Sequence, residues 1–268
     1  MRGPMATRSW LLVLFLGFTP FLTMLRTFFP ALAFCLLATP LLAQQGPSPA
    51  PAPDPLRTDW ANLARYAPAN QQLPAPVAGT PRIVLIGNSI TDGWPRADPA
   101  FFAGKPYEYV GRGIGGQTSP QMLLRFRQDV LDLHPAAVAI LAGINDIAEN
   151  TGPYQPQATL NNIVSMAELA HAHGVRVILC SVTPAAEFPW RPGLNPGAKV
   201  VALNTQIKAY AQQQHFVYLN YHTALADDHQ GVRPDLASDG VHPTLAGYRV
   251  MEPLLQQAVA EALKKKQK

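Results

Sequence analysis

The chain has 268 residues, a formal net charge of +4 and a sequence pI near 9.1. Residues 1–43 hold three of the basic side chains (Arg2, Arg8 and Arg26) and no acid, so the remainder carries 18 basic against 17 acidic groups. Four of those lysines crowd the end, at 264, 265, 266 and 268. A near-neutral body with a basic helix end excludes the charged footprint of a nucleic-acid binder.

Trp10 to Leu25 is apolar and stops at Arg26, and a second apolar run extends from Thr27 to Leu42. From Met24 onward the pattern is that of a secretory signal, with Arg26, an apolar middle and a small residue at Ala43. Met24 is then the expected true start, 1–43 the signal region, and export to the periplasm or beyond the expected outcome. The rival is an N-terminal membrane anchor over residues 10–42. Pro20, Arg26 and Pro30 break that run, and neither half reaches the ~20 apolar residues a span needs. No span is expected in the mature chain. Cys35 falls in the signal, which leaves Cys180 as the one mature thiol and no intrachain disulfide; in Val177-Ile178-Leu179-Cys180 it reads as inert core.

Residues 44–80 read as a Pro-rich linker followed by a short helix. Gln44 to Pro55 is extended in character. Asp59 to Tyr66 predicts a helix capped by Thr58 or Asp59, with Trp60, Leu63 and Tyr66 packing on the domain. Residues 81–264 then alternate strand and helix, and 265–268 form a basic tail. Arg82–Ile86 is a continuous apolar run, as for a parallel strand buried on both faces. Tyr107–Val110, Ala136–Leu141, Val175–Cys180 and Phe216–Leu219 follow as strands. Helical spacing marks Pro120–Leu133, Gln157–Ala172, Ala198–Gln213 and Leu245–Lys264, the last with Pro253 as a kink. The expected fold is α/β, a five-stranded parallel sheet in a three-layer α/β/α sandwich of the flavodoxin-like kind.

Ligands bind such sheets outside the carboxyl ends of the strands. Asn88-Ser89 follows strand one and Gly113-Ile114-Gly115-Gly116 strand two. Gly143-Ile144-Asn145-Asp146 follows strand three, Thr183-Pro184 strand four, and the Asp239–His242 loop strand five. All five therefore share one edge. Ser89 is either a helix N-cap or a nucleophile held at the sheet edge. Asp239-x-x-His242 puts an acid and a base on one loop, where the carboxylate can fix the imidazole tautomer. Asn145 is either a turn residue or an amide donor to an oxyanion. Gly111 to Gly116 matches G-x-G-x-x-G, yet it follows the second strand and no acid ends the next, against a dinucleotide loop. His171-x-His173 is a weak zinc pair, since residues two apart on a helix diverge. No metal or cofactor is expected. Around the site, Trp94, Phe188 and Trp190 are candidates for a substrate rim.

Four fragments in order resemble the SGNH hydrolases, or GDSL-type esterases: Gly87-Asn88-Ser89, Gly116 within Ile114-Gly115-Gly116-Gln117-Thr118, Gly143-x-Asn145-Asp146, and Asp239-x-x-His242-Pro243. The resemblance spans about Pro81 to Leu263. One departure is Asn88, where that family usually has Asp. The resemblance implies Ser89 as nucleophile, His242 as base and Asp239 as its orienter. It also implies an oxyanion hole of the Ser89 N–H, the Gly116 N–H and the Asn145 side chain. The substrate is then a small-molecule or glycan ester, with short acyl groups favoured by the absence of a long apolar lid. A lysophospholipase or thioesterase stays as the alternative within the family. A non-catalytic flavodoxin-like binding module is the alternative outside it. The Gly-x-Ser-x-Gly elbow of α/β-hydrolases is absent around Ser89.

Overall fold

The structure is a computed structural model that describes residues 55–265. The expected signal region, the linker up to residue 54 and the tail from 266 lie outside them. Five parallel strands are ordered β2-β1-β3-β4-β5: β1 Arg82–Gly87, β2 Glu108–Gly113, β3 Ala137–Ile140, β4 Arg176–Cys180 and β5 Val217–Leu219. This is the flavodoxin-like order, with its reversal at β1 and β3. Ten helices accompany them: α1 Pro55–Thr58, α2 Ala67–Gln72, α3 Ser89–Ala97, α4 Pro99–Ala103, α5 Ser119–Asp129, α6 Ile144–Ile147, α7 Pro156–Ala172, α8 Pro196–Gln213, α9 Tyr221–Leu225 and α10 Leu245–Lys264.

Alternate residues of β1 feed two cores, because successive strand side chains point to opposite faces. Val84 and Ile86 join Met122 and Phe126 of α5, Ile163 and Met166 of α7, and Val200 and Leu203 of α8. Ile83 and Leu85 join Trp94 of α3, Tyr221 and Leu225 of α9, and Met251 and Leu255 of α10. The three-layer sandwich is therefore as expected, with α5, α7 and α8 on one face and α3, α9 and α10 on the other. Cys180 is buried in the second core, and burial pushes its thiol up. Pro253 lies inside α10 without ending it.

Strand and helix ends differ from expectation by a few residues. The larger difference is at the start. Residues 59–66 are not one helix, because Asn62 takes a left-handed backbone (φ 54°) and breaks it. Asp59 does cap the short turn that follows, accepting from the N–H groups of Leu63 (2.7 Å) and Ala64 (2.9 Å). Trp60 and Leu63 are exposed, contrary to expectation, while Tyr66 packs as expected. Its hydroxyl donates to the Gly113 carbonyl and its ring lies against the Arg112 guanidinium.

This segment is tied along α5 by its backbone. Side-chain amides of Gln117, Gln121 and Gln128 donate to the carbonyls of Ala61, Trp60 and Leu63, each at 2.7 Å. Asn70 of α2 adds bonds to the Gln128 carbonyl (3.0 Å) and the Asp129 carboxylate (2.7 Å).

Candidate active site

The first turn of α3 begins as soon as β1 ends. Asn88 caps it, its side chain accepting from the Ile90 N–H at 3.1 Å, and Ser89 is the first helical residue. So the bland reading of Ser89 as the cap fails: its neighbour holds that role, and the Ser89 hydroxyl is free for another partner. Two glycines let the turn in. A Cβ on Gly87 would lie 2.1 Å from the Thr91 Oγ1, and one on Gly113 would lie 2.1 Å from the Asp92 N. These two residues are register partners in the sheet.

The partner is His242. Its Nε2 lies 2.9 Å from the Ser89 Oγ, across 153 residues of chain. Its Nδ1 lies 2.6 Å from the Asp239 Oδ2. With the Nδ1–H donating to the carboxylate, Nε2 presents a lone pair to the hydroxyl. The other carboxylate oxygen accepts from the N–H groups of Val241 (3.0 Å) and His242 (2.7 Å). Burial alone would raise the Asp239 pKa, but these hydrogen bonds outweigh it and hold the carboxyl below its ordinary value. The loop is anchored behind: the Leu236 carbonyl accepts from the Thr244 N–H (2.8 Å) and Oγ1 (3.2 Å).

On the other side of Ser89 stand the glycine loop and α6. Gly116 has a left-handed backbone (φ 77°), natural for glycine alone. Its carbonyl accepts from the Asn150 amide at 3.0 Å. Asn145 is buried on α6, and its amide donates to the Gln117 carbonyl at 2.9 Å. An amide carries two hydrogens, so one stays uncommitted. Asp146 behind it accepts from the Ser119 N–H (2.9 Å), the Ser119 hydroxyl (2.6 Å) and the Thr159 hydroxyl (3.2 Å). Burial raises the Asp146 pKa even against those bonds. Ser89, Asp239, His242, Gly116 and Asn145 thus all lie at the carboxyl edge of the sheet.

The rim differs from expectation. Trp94 is 1% exposed, stacked between Phe101 (5.6 Å between centroids) and Tyr248 (5.2 Å). It stands one helical turn after Ile90 and so shares that residue's inward face. Phe188 is 0% exposed and belongs to the core. Trp190 alone of the three is open, at 46%. Its ring lies 5.7 Å from that of His242 and 5.2 Å from that of Phe188 beneath it. Arg191 fixes this loop by donating to the Glu149 carbonyl at 2.7 Å.

Two other features lie away from this edge. A cavity of about 680 Å³ opens at the amino ends of β4 and β5, lined by His171, Arg176, His215, Phe216 and Lys265 among others. Its Lys265 already donates to the carbonyls of His215 (3.3 Å) and Phe216 (3.4 Å) and pairs with Glu261 (2.9 Å). It satisfies chain ends there. His171 and His173 diverge, one against Phe216 and the other on the Leu169 carbonyl. Among the described residues no group of three His, Cys, Asp or Glu side chains is placed to hold a metal ion.

Sequence reasoning missed Asn150, Gln117 and Arg125. Asn150 carried no signal beyond a polar residue after the Gly-x-Asn-Asp turn. Gln117 and Arg125 lie eight residues apart, an ordinary spacing on a polar stretch.

A serine, a histidine and an aspartate chained at the carboxyl edge of such a sheet is an arrangement that acyl-transfer hydrolases use. The model of the GDSL-like lipase/acylhydrolase family matches residues 85–250, and the chain belongs to that family. It is 48% identical to a GDSL-like lipase from Bacteroides thetaiotaomicron, whose structure has a TM-score of 0.73 and aligns over 76% of this chain and 100% of its own. It is also 48% identical to a structure described as an acylhydrolase from Bacteroides fragilis (TM-score 0.74, 77% of this chain and 99% of the other). Esterase TesA of Pseudomonas aeruginosa is 29% identical over 194 residues, 70% of this chain and 86% of that one. The protein is a carboxylic ester hydrolase.

Proposed function

We propose that this is an exported serine esterase that cleaves short-acyl esters, acetyl above all, of a glycan or a small molecule. The observation that carries the mechanism is the unbroken chain from the Ser89 Oγ through the His242 ring to the Asp239 carboxylate, at 2.9 and 2.6 Å. His242 takes the hydroxyl proton as the Ser89 oxygen attacks the ester carbonyl. The tetrahedral oxyanion is held by the Ser89 N–H, the Gly116 N–H and the free amide hydrogen of Asn145. The protonated imidazole gives its proton to the departing alcohol, leaving an acyl-Ser89 ester. Water, deprotonated by His242, then releases the acid and restores the serine.

The substrate class rests on Trp190. It touches the ring that protonates the leaving alcohol, so its open face flanks the alcohol and not the acyl group. A rigid, exposed indole backed by Phe188 suits stacking against a sugar ring. Trp94 and Phe188 are turned into the core, so neither supplies an apolar wall for a long acyl chain, which favours small acyl groups. Export rests on the signal-like pattern from Met24 to Ala43.

A fluorophosphonate probe should label Ser89 and fail on Ser89→Ala. A p-nitrophenyl ester series from acetyl to palmitoyl should peak at acetyl. Wild-type-level labelling of Ser89→Ala would sink the mechanism, and a maximum at palmitoyl would sink the substrate class. Asn145→Ala should lower kcat about 10²–10³-fold, corresponding to the roughly 3–4 kcal/mol typical of one oxyanion donor.

A further inference from the structure

We infer that Gln117, clamped by Arg125, is the positioning residue that holds the oxyanion donors in register with Ser89. The inference rests on the oxyanion hole proposed above and goes beyond it, since Gln117 itself touches no reacting atom.

Gln117 is buried, and each of its four polar atoms has a partner. Its N–H donates to the Ile114 carbonyl at 3.3 Å, and its carbonyl receives the Asn145 amide at 2.9 Å. Its side-chain Oε1 accepts from the Arg125 Nε at 2.6 Å, and its Nε2 donates to the Ala61 carbonyl at 2.7 Å. The residue therefore links Gly116, its neighbour in the chain, to Asn145, which lies 28 residues further on.

Arg125 carries the link to the nucleophile. Its side chain is 0% exposed. The guanidinium donates to the Gly87 carbonyl (3.0 Å), two residues before Ser89, and to the Arg112 carbonyl (2.8 Å), which precedes the glycine loop. Asp129 balances the charge at 3.0 Å. The Gly87 carbonyl also accepts from the Ile114 N–H at 3.1 Å. One planar fork thus spans the ends of β1 and β2 and the side chain of Gln117. A buried guanidinium is a costly way to hold two strand ends that the sheet already pairs. What it adds is a fixed position for Gln117, and through it for Gly116 and Asn145 relative to Ser89. Displacing catalytic groups by about 1 Å can cost on the order of 10²-fold in rate.

The test uses the full chain, with active sites counted by complete titration with a fluorophosphonate, and kcat expressed per titrated site. Gln117→Met keeps the volume and the backbone bond to Asn145 and removes the two side-chain hydrogen bonds, to Arg125 and Ala61. It should lower kcat per site about 10- to 100-fold, with KM and the pH profile unchanged. A merely structural role would lower the count of sites and leave kcat per site alone. Gln117→Glu keeps the acceptor for Arg125 while losing the donor to the Ala61 carbonyl, and should recover kcat to within about fivefold of the parent. Gln117→Asn, one methylene shorter, retains a buried amide that cannot reach its partners; it repeats the kcat loss and supplies the reading if Gln117→Met does not fold. Asn145→Ala is run alongside. If Asn145→Ala is slow while Gln117→Met and Gln117→Asn stay within twofold of the parent per site, Gln117 does not position the hole and the inference fails. A Gln117→Glu enzyme as slow as Gln117→Met overturns the part given to Arg125. If Asn145→Ala keeps a near-normal rate, it is the proposed oxyanion hole that fails, and the inference falls with it.

Discussion

The Tyr248 hydroxyl donates to the Ile90 carbonyl at 2.8 Å. This bond joins the helix that carries Ser89 to the helix that follows His242, so two residues 153 positions apart are held on a common support. Trp94 stacks on the same tyrosine and thickens the joint.

Tyr248→Phe removes that donor and little else. A net loss of about 1 kcal/mol is expected for such a bond, which lowers Tm by roughly 2–4 °C in a domain of this size. The Ser89–His242 distance loosens, so kcat falls several-fold. Denaturant unfolding and steady-state kinetics check both; an unchanged rate at lowered stability would mean that the joint does not reach the site.

Asp239→Asn keeps an oxygen for the Val241 and His242 N–H groups but cannot anchor the Nδ1 proton as a carboxylate does. In the proposed mechanism kcat falls about 10³–10⁴-fold, as when a triad orienter loses its charge. The fold should survive, by circular dichroism.

The acid dependence has a definite sign. The Asp239 carboxyl titrates lower in the folded chain than its ordinary value, so its contribution to stability is complete above the ordinary carboxylate range. It is lost as pH falls through the lowered value. Comparing parent and Asp239→Asn by urea titration, the stability gap should close only in that acid region. A gap that is constant down to acid pH would contradict the assignment.

Trp190→Ala should separate substrates. Its ring is half-exposed and rests on Phe188, so a stability loss of about 1–2 kcal/mol is expected. A stacked sugar ring loses roughly 1 kcal/mol of interaction, or about fivefold to tenfold in kcat/KM. Acetylated xylo-oligosaccharide should show that loss and ethyl acetate should not. Equal loss on both would place Trp190 in support of His242 instead of the alcohol.

Phe188→Ala, by contrast, is a core deletion. It should cost about 3–5 kcal/mol, read by denaturant unfolding, and it removes the backing of Trp190. A change below 1 kcal/mol would contradict the burial.

Sequence and structure agree where the physics is local. Ile83 to Ile86 are apolar without a break, so a strand buried on both faces could be read from them directly. That the loops holding Ser89 and Asp239-x-x-His242 meet at one edge was legible because strand–helix alternation sends strand ends there; the roles of these residues came from the family resemblance. Trp94 was misplaced because its helix begins at Ser89, where Gly93 and Pro95 obscure the periodicity. Phe188 and Trp190 look alike in a Pro-rich loop; only tertiary packing decides which one turns inward. Gln117 and Arg125 gave no apolar signal: Gln117 is covered by Ala61, 56 residues upstream, whose carbonyl it holds, and Arg125 is buried against the ends of β1 and β2.

That upstream segment sets a limit on how far the enzyme can be miniaturised. The family match begins at residue 85, inside β1, and ends at 250, within α10. A chain cut to those bounds would lack the carbonyls of Trp60, Ala61 and Leu63 and the hydroxyl of Tyr66, and would strip the glycine loop of its outer wall. Anyone trimming this protein for expression or engineering should keep everything from Asp59 onward.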